Sequence, residues 1–117
     1  MNLFLCYDKC STCKKARTWL EQQGAAFQPR PIKEQNPTAA ELADWAARSG
    51  LPRNKFVNTS GQLYRQLGLK DKLPQLSDEE FFALLATDGM LVKRPILITE
   101  KGICPGFKPE IWQTLLD

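Results

Sequence analysis

Apolar positions come first in a short run of strand length, Leu3-Phe4-Leu5-Cys6-Tyr7, closed by Asp8-Lys9-Cys10-Ser11, residues that suit a turn and a helix cap. A helix is expected from about Thr12 to Gln23. Cys13, Ala16 and Leu20 recur there at helical spacing and face inward with Trp19 beside them, while Lys14, Lys15, Arg17 and Glu21 face water. Gly24 is the expected stop. Ala25-Ala26-Phe27 opens a second strand, which Pro29 and Pro31 confine to a sheet edge or end early. A strand-helix-strand unit of this kind favours parallel pairing with a right-handed crossover.

The middle of the chain has helical texture. Thr38 and Glu41 are spaced as a capping box ahead of Leu42, Trp45 and Ala46, with Gly50 closing that helix. Short helical pieces follow over 51–57 and 60–68, separated by Asn58-Thr59. A second capping box, Ser77 with Glu80, precedes an apolar stripe of Phe81, Leu84 and Leu85, and Gly89 is read as its stop. Strand patterning returns at Pro95-Ile96-Leu97-Ile98-Thr99, and Glu100-Lys101-Gly102 turns the chain into Ile103-Cys104-Pro105. Pro109 suits the first turn of a last helix, Glu110 to Leu116, with Ile111, Trp112 and Leu115 facing inward. The order is β-α-β, helices, β-β-α. It predicts a single α/β domain over residues 1–117, with a small mixed sheet and a helical insertion at about 33–92.

Composition removes several kinds of chemistry. The 117 residues carry a net charge of +3, four cysteines and no histidine. Histidine-based triads, histidine-ligated metals and imidazole acid-base catalysis are therefore excluded. Mean hydropathy is −0.36 and no apolar run reaches membrane-spanning length, so no membrane span is expected. The segment Met1–Asp8 lacks the basic start of a signal peptide. A cytoplasmic monomer with free or redox-active thiols is expected, with no bound cofactor or metal. The dispersed positive balance does not read as a nucleic-acid site.

Cys10-Ser11-Thr12-Cys13 is the sharpest motif. A C-x-x-C where a strand meets a helix places Cys10 against unpaired backbone N–H groups and the positive end of the helix dipole, which stabilise a thiolate. Lys9, Lys14 and Arg17 add potential of the same sign. Cys13, one turn on, is positioned to close a disulfide after Cys10 has reacted. Cys10 is thus the candidate nucleophile and Cys13 the candidate resolving thiol. Half of a zinc site is the competing reading, but there is no second C-x-x-C and no histidine to complete it. Of the remaining thiols, Cys6 reads as core and Cys104 is left open. Trp19, Trp45 and Trp112 read as core, and Arg48, Arg53 and Lys55 as a solvated basic face around Gly50. On the residues alone, Lys93-Arg94 reads as a solvated pair and the Arg94–Pro95 bond as trans.

Five segments together resemble one family. They are Tyr7-Asp8-Lys9-Cys10-Ser11-Thr12-Cys13-Lys14-Lys15-Ala16, Phe56-Val57-Asn58-Thr59-Ser60-Gly61, Leu63-Tyr64-Arg65, Lys93-Arg94-Pro95-Ile96 and Gly106-Phe107. In this order the chain resembles the arsenate reductase-like group of thioredoxin-fold proteins, which includes the ArsC reductases and the Spx/MgsR transcriptional regulators. The resemblance covers nearly the whole chain. It implies a thioredoxin-like sheet with a helical insertion, a cis-proline at Pro95 beside the active-site loop, and a site role for Arg94 in place of the surface reading.

In the reductases a cysteine matching Cys10 attacks the arsenate oxyanion with the support of three arginines. Only Arg94 matches one of them; Asn58 and Phe107 stand at the other two positions. Without two guanidiniums most of the charge-assisted binding of an oxyanion is gone, which argues against arsenate as the substrate. The resemblance then implies one of two roles. One is a thiol-dependent oxidoreductase that uses Cys10, Cys13 and Arg94 and is restored by glutathione, glutaredoxin or thioredoxin. The other is a redox-sensing regulator that binds the C-terminal domain of the RNA polymerase α subunit near Gly50. The chain stops at Asp117, short of the longer charged tail of the Spx group, and is expected to side with the reductase-like branch.

Overall fold

A computed structural model describes residues 2–116; Met1 and Asp117, which enter the readings of the leader and the tail, lie outside the described residues. Strand β1 (Asn2–Cys6) leads through Cys10 into helix α1 (Ser11–Gln22), and the chain returns as β2 (Phe27–Pro31), paired parallel to β1 from Asn2↔Phe27 to Cys6↔Pro31. Strands β3 (Ile96–Thr99) and β4 (Gly102–Pro105) form the hairpin, and β3 lies antiparallel to β1 with Leu3 opposite Ile98. The sheet order is β2-β1-β3-β4. β2 is therefore an edge strand, where Pro29 and Pro31 break no inner ladder.

Alternation along the strands divides the core into two layers. Phe4, Leu97 and Cys104 point to one face, where they pack with Ala16 and Leu20 of α1 and with Trp112 of α6 (Pro109–Leu115). Leu5, Ile96, Ile98 and Ile103 point to the other face. They meet Leu42, Trp45 and Ala46 of α2 (Ala39–Ser49) and Phe81, Phe82 and Leu85 of α5 (Asp78–Leu85). Between those two helices run the short α3 (Gln62–Gln66) and α4 (Leu69–Lys72), with 3-10 turns at Arg53–Phe56 and Leu73–Gln75. This is a thioredoxin-like α/β fold with a mixed four-stranded sheet and helices inserted between β2 and β3.

Both capping boxes form. The Thr38 hydroxyl accepts from the Glu41 N–H and the Glu41 carboxylate from the Thr38 N–H; Ser77 and Glu80 repeat the pair. Arg30 ties edge strand β2 to α2 by a two-pronged ion pair with Glu41 at 2.6 and 2.8 Å. Arg53 clamps the inserted helices: its guanidinium stacks over Phe81 and donates to Asp78 and to the Leu73 and Leu76 carbonyls.

Several expectations shift. Phe82 is buried where Leu84 is only half-buried, and Ile111 is 44% exposed although Trp112 beside it is fully buried. Gly89 does not stop α5, whose C-cap is Ala86. It opens a 3-10 turn (Gly89–Leu91) pressed against the backbone of Ile32, where an added Cβ would sit 1.9 Å from the Ile32 carbonyl oxygen. Close approach, not helix termination, explains glycine there.

Candidate active site

Cys10 is the N-cap of α1, and the helix starts with no capping side-chain oxygen and no acid in its first turn. The positive end of a twelve-residue helix is thus left to sulfur. Burial by itself raises the Cys10 pKa. The Cys13 N–H and S–H, the Thr12 N–H and the Arg94 charge outweigh that and bring it below the ordinary thiol value. Cys13 behaves oppositely. Burial, partly relieved by a hydrogen bond from the Tyr7 N–H (3.3 Å), together with the hydrogen bond and charge of Cys10, pushes it up to about 12. Both thiols are free. The pair consists of a half-exposed thiol poised to ionise and a buried one held protonated beside it.

Arg94 is brought to the same place. The Arg94–Pro95 peptide is cis, and the hairpin is latched there by the Gly106 N–H donating to the Pro95 carbonyl at 2.7 Å. The Arg94 guanidinium carbon lies 5.0 Å from the centre of the Tyr7 ring, and one of its terminal nitrogens is buried without a hydrogen-bond partner. The solvated Lys93-Arg94 pair expected from the residues alone is replaced by an exposed Lys93 and a half-buried Arg94 turned inward.

The two positions that lack arginine have other uses. Asn58 donates to the Met90 carbonyl at 3.2 Å and receives Gly61 against its amide, which ties the inserted segment to the 3-10 turn before β3. Phe107 stacks edge-on with Trp19 and Trp112, with ring centres 5.9 and 5.1 Å apart. Both side chains hold structure.

Cys6 is not fully core. It is half-buried, with a thiol pKa raised by desolvation, on a cavity of about 400 Å³ that it shares with Cys13, Tyr7, Arg17, Pro29 and Pro31. Cys104 is buried under Trp112, whose indole N–H donates to the Gly106 carbonyl. Among the described residues no group of three or more acidic or cysteine side chains is placed to hold a metal, and no helix is long and apolar enough to cross a membrane. Tyr7 and Gly106 stand in the segments that carry the resemblance, but sequence reasoning gave them no role; Tyr7 supplies a ring for Arg94 and an N–H for Cys13, and Gly106 latches the hairpin.

Fold and site together define a thioredoxin-like protein with an unequal cysteine pair at a helix start. The ArsC family model matches residues 5–115, and the chain belongs to the ArsC family. It is 46% identical over 107 residues to the uncharacterized protein YusI of Bacillus subtilis (strain 168), covering 92% of this chain and 91% of that protein. The regulatory protein MgsR of the same organism is 26% identical over 106 residues, covering 91% and 82% of the two chains. Among solved structures, an ArsC family related protein from Bacteroides fragilis superposes with a TM-score of 0.94 at 51% identity, covering 97% and 96%. An arsenate reductase from Vibrio cholerae gives 0.87 at 30% identity, covering 98% and 97%.

Proposed function

We propose that this protein is a thiol-disulfide reductase of the ArsC family, acting as a cytoplasmic monomer with no bound cofactor. The observation that carries the reading is the opposed behaviour of Cys10 and Cys13, one lowered and one raised within a single helical turn. The Cys10 thiolate attacks one sulfur of an oxidised substrate, that S–S bond breaks, and the first thiolate leaves. Arg94, with an unpartnered nitrogen beside the site, steadies the anion as it develops. Forming the adduct removes the Cys10 charge and hydrogen bond that help hold Cys13 protonated. Cys13 then gives its proton to the leaving thiolate and attacks the Cys10 sulfur. The second substrate thiolate is released, and two electrons have passed from the protein to the substrate. The Cys10–Cys13 disulfide that remains is reduced by an external thiol: glutathione, glutaredoxin or thioredoxin.

The test is a turnover assay on a model disulfide with the parent, Cys10→Ser and Cys13→Ser. The expected result is no turnover with Cys10→Ser and an accumulating mixed disulfide with Cys13→Ser. Equal rates for the parent and Cys10→Ser would overturn the reading. Arsenate turnover is expected to be absent, since Asn58 and Phe107 are occupied in structural contacts.

A second reading, a redox-sensing regulator that binds the C-terminal domain of the RNA polymerase α subunit, is favoured by the likeness to MgsR over nearly the whole chain. A pull-down with that domain, using reduced and oxidised protein, tests it; no capture in either state eliminates it.

A further inference from the structure

We propose that the cleft beside the Cys10–Cys13 loop is a docking groove for an acidic peptide segment, so that the disulfide reduced here belongs to a partner chain whose cysteine is flanked by carboxylates. This deepens the reductase reading and rests on it for the chemistry, though not for the docking.

The cleft has a volume of about 530 Å³ and runs from Thr12, one of the two residues between the cysteines, whose N–H helps hold the Cys10 thiolate. Its lining includes Lys55, Lys93 and Lys108, with Asn54 and Thr59 between them, and no acidic side chain among the described residues. Three distant parts of the chain supply these lysines: the 3-10 turn after α2, the residue before Arg94–Pro95, and the N-cap of α6. All three are exposed. The ion pairs of the described residues, Arg30–Glu41, Arg48–Asp44 and Arg53–Asp78, use none of them. Gly106 makes room for one: its φ of +84° suits glycine, and an added Cβ would stand 3.4 Å from Cε of Lys93.

Three lysines with no facing acid give the cleft a charge of +3, equal to the net charge of the whole chain, so the remainder is neutral as a set. Like charges gathered around one concavity repel each other and focus potential outward, a cost that an anionic ligand removes. The volume exceeds what a single oxyanion needs and accommodates several residues of an extended chain. A segment laid through it passes Thr12, two residues from Cys10, so a cysteine near that end of the segment comes within reach of the nucleophile. Single-stranded nucleic acid shares the charge but offers no sulfur to the adjacent thiol, and the cleft offers it one aromatic ring, Phe107, where a stacking platform uses several.

The test uses two fluorescent peptides of one sequence, with the residues around a central serine either all Asp or all Asn, and fluorescence anisotropy with the reduced protein. At low salt the Asp peptide is expected to bind about tenfold tighter or more, and the preference to shrink at about 0.5 M salt. Lys55→Gln, Lys93→Gln and Lys108→Gln each weaken that preference and together remove it, with unchanged thermal melting. Equal affinity for the two peptides overturns the proposal, as does tighter binding of an oligo-dT strand than of the Asp peptide. The same peptides carrying a cysteine disulfide are then offered as substrates. Faster reduction of the acidic one supports both proposals. A binding preference without reduction of either leaves the docking groove standing and sinks the reductase reading.

Discussion

The backbone N–H of Tyr7 points at the sulfur of Cys13 from 3.3 Å, so the end of the first strand holds the second thiol of the motif in place. Cys13, buried between them, in turn directs its S–H and its N–H at the half-exposed nucleophile Cys10. Alkylation should report that difference. Cys10 is expected to react first at neutral pH, with Cys13, held near 12, last. Cys13→Ala removes a donor from the thiolate, so the Cys10 pKa moves up and its alkylation near pH 7 slows several-fold. Mass spectrometry of timed iodoacetamide reactions checks both statements; an unchanged Cys10 rate in Cys13→Ala would show that the hydrogen bond has no influence.

Arg94 acts on Cys10 through charge and on Tyr7 through its face. Replacing it with Gln removes a cation that lowers the Cys10 pKa, so the thiol titrates higher and attacks more slowly at neutral pH. Loss of the guanidinium over the Tyr7 ring also costs about 0.5–1 kcal/mol of stability. Arg94→Lys keeps the charge and loses the planar stack. It is therefore expected to retain most of the pKa effect while showing the stability loss. The pH profile of alkylation and a urea midpoint separate the two contributions.

Capping residues act within one helical turn, which is why Thr38 with Glu41 and Ser77 with Glu80 could be placed from their spacing and form as expected. The C-x-x-C is equally local: Cys10 and Cys13 meet because one turn of helix joins them. What depended on partners far along the chain was harder to read. Phe82 is buried and Leu84 only half-buried, a difference set by packing from elements elsewhere in the chain, and Gly89 is glycine because Ile32, more than fifty residues earlier, presses against it. Cys6 has the alternation of a core residue, but β2 is an edge strand and leaves a cavity beside it. Arg94 looked like half of a solvated pair until the resemblance placed it at the site. Lys55, Lys93 and Lys108 share a cleft that no local pattern announces.

Glu41 links three groups: it accepts from both terminal nitrogens of Arg30 and from the Thr38 N–H at the start of α2. The Arg30 hydrogen bonds, opposed by partial burial and helped by Thr38, hold its carboxyl down to about 2, against 4.5 for the free group. A carboxyl lowered on folding binds fewer protons folded than unfolded. Its contribution is therefore complete above about pH 4.5 and is lost as pH falls toward 2. With a third of the side chain open to solvent, that contribution is about 1 kcal/mol or less. Glu41→Gln should lower stability at pH 7 and flatten the decline between pH 4.5 and 2, as followed by urea unfolding at a series of pH values. An acid limb identical to the parent's would mean that other carboxylates carry it.

Gly89 stands where two parts of the chain nearly touch, with Ile32 and Asn36 both crowding the place a Cβ would take. Its φ is not in the left-handed region, so backbone strain is not what selects glycine there. Contact is: a methyl group at this position would fall 1.9 Å from the Ile32 carbonyl oxygen and 2.8 Å from its carbonyl carbon. Backbone cannot yield as a flexible side chain can. Ile32 is also fixed by its N–H donating to the Cys6 carbonyl at 2.8 Å, and its side chain is wholly buried. Gly89→Ala must therefore push the 3-10 turn outward, shifting Leu91 and Val92, which are buried just ahead of Arg94. The expected cost is about 2–4 kcal/mol in urea unfolding. Because the displaced turn leads directly to the Arg94–Pro95 peptide, the variant is also expected to raise the Cys10 pKa. Gly24→Ala is the contrasting case. Its φ of +67° is left-handed with nothing within 4 Å, so it should cost about 1 kcal/mol and leave Cys10 unchanged. A Gly89→Ala protein as stable as the parent would show that the approach to Ile32 is looser than these distances indicate.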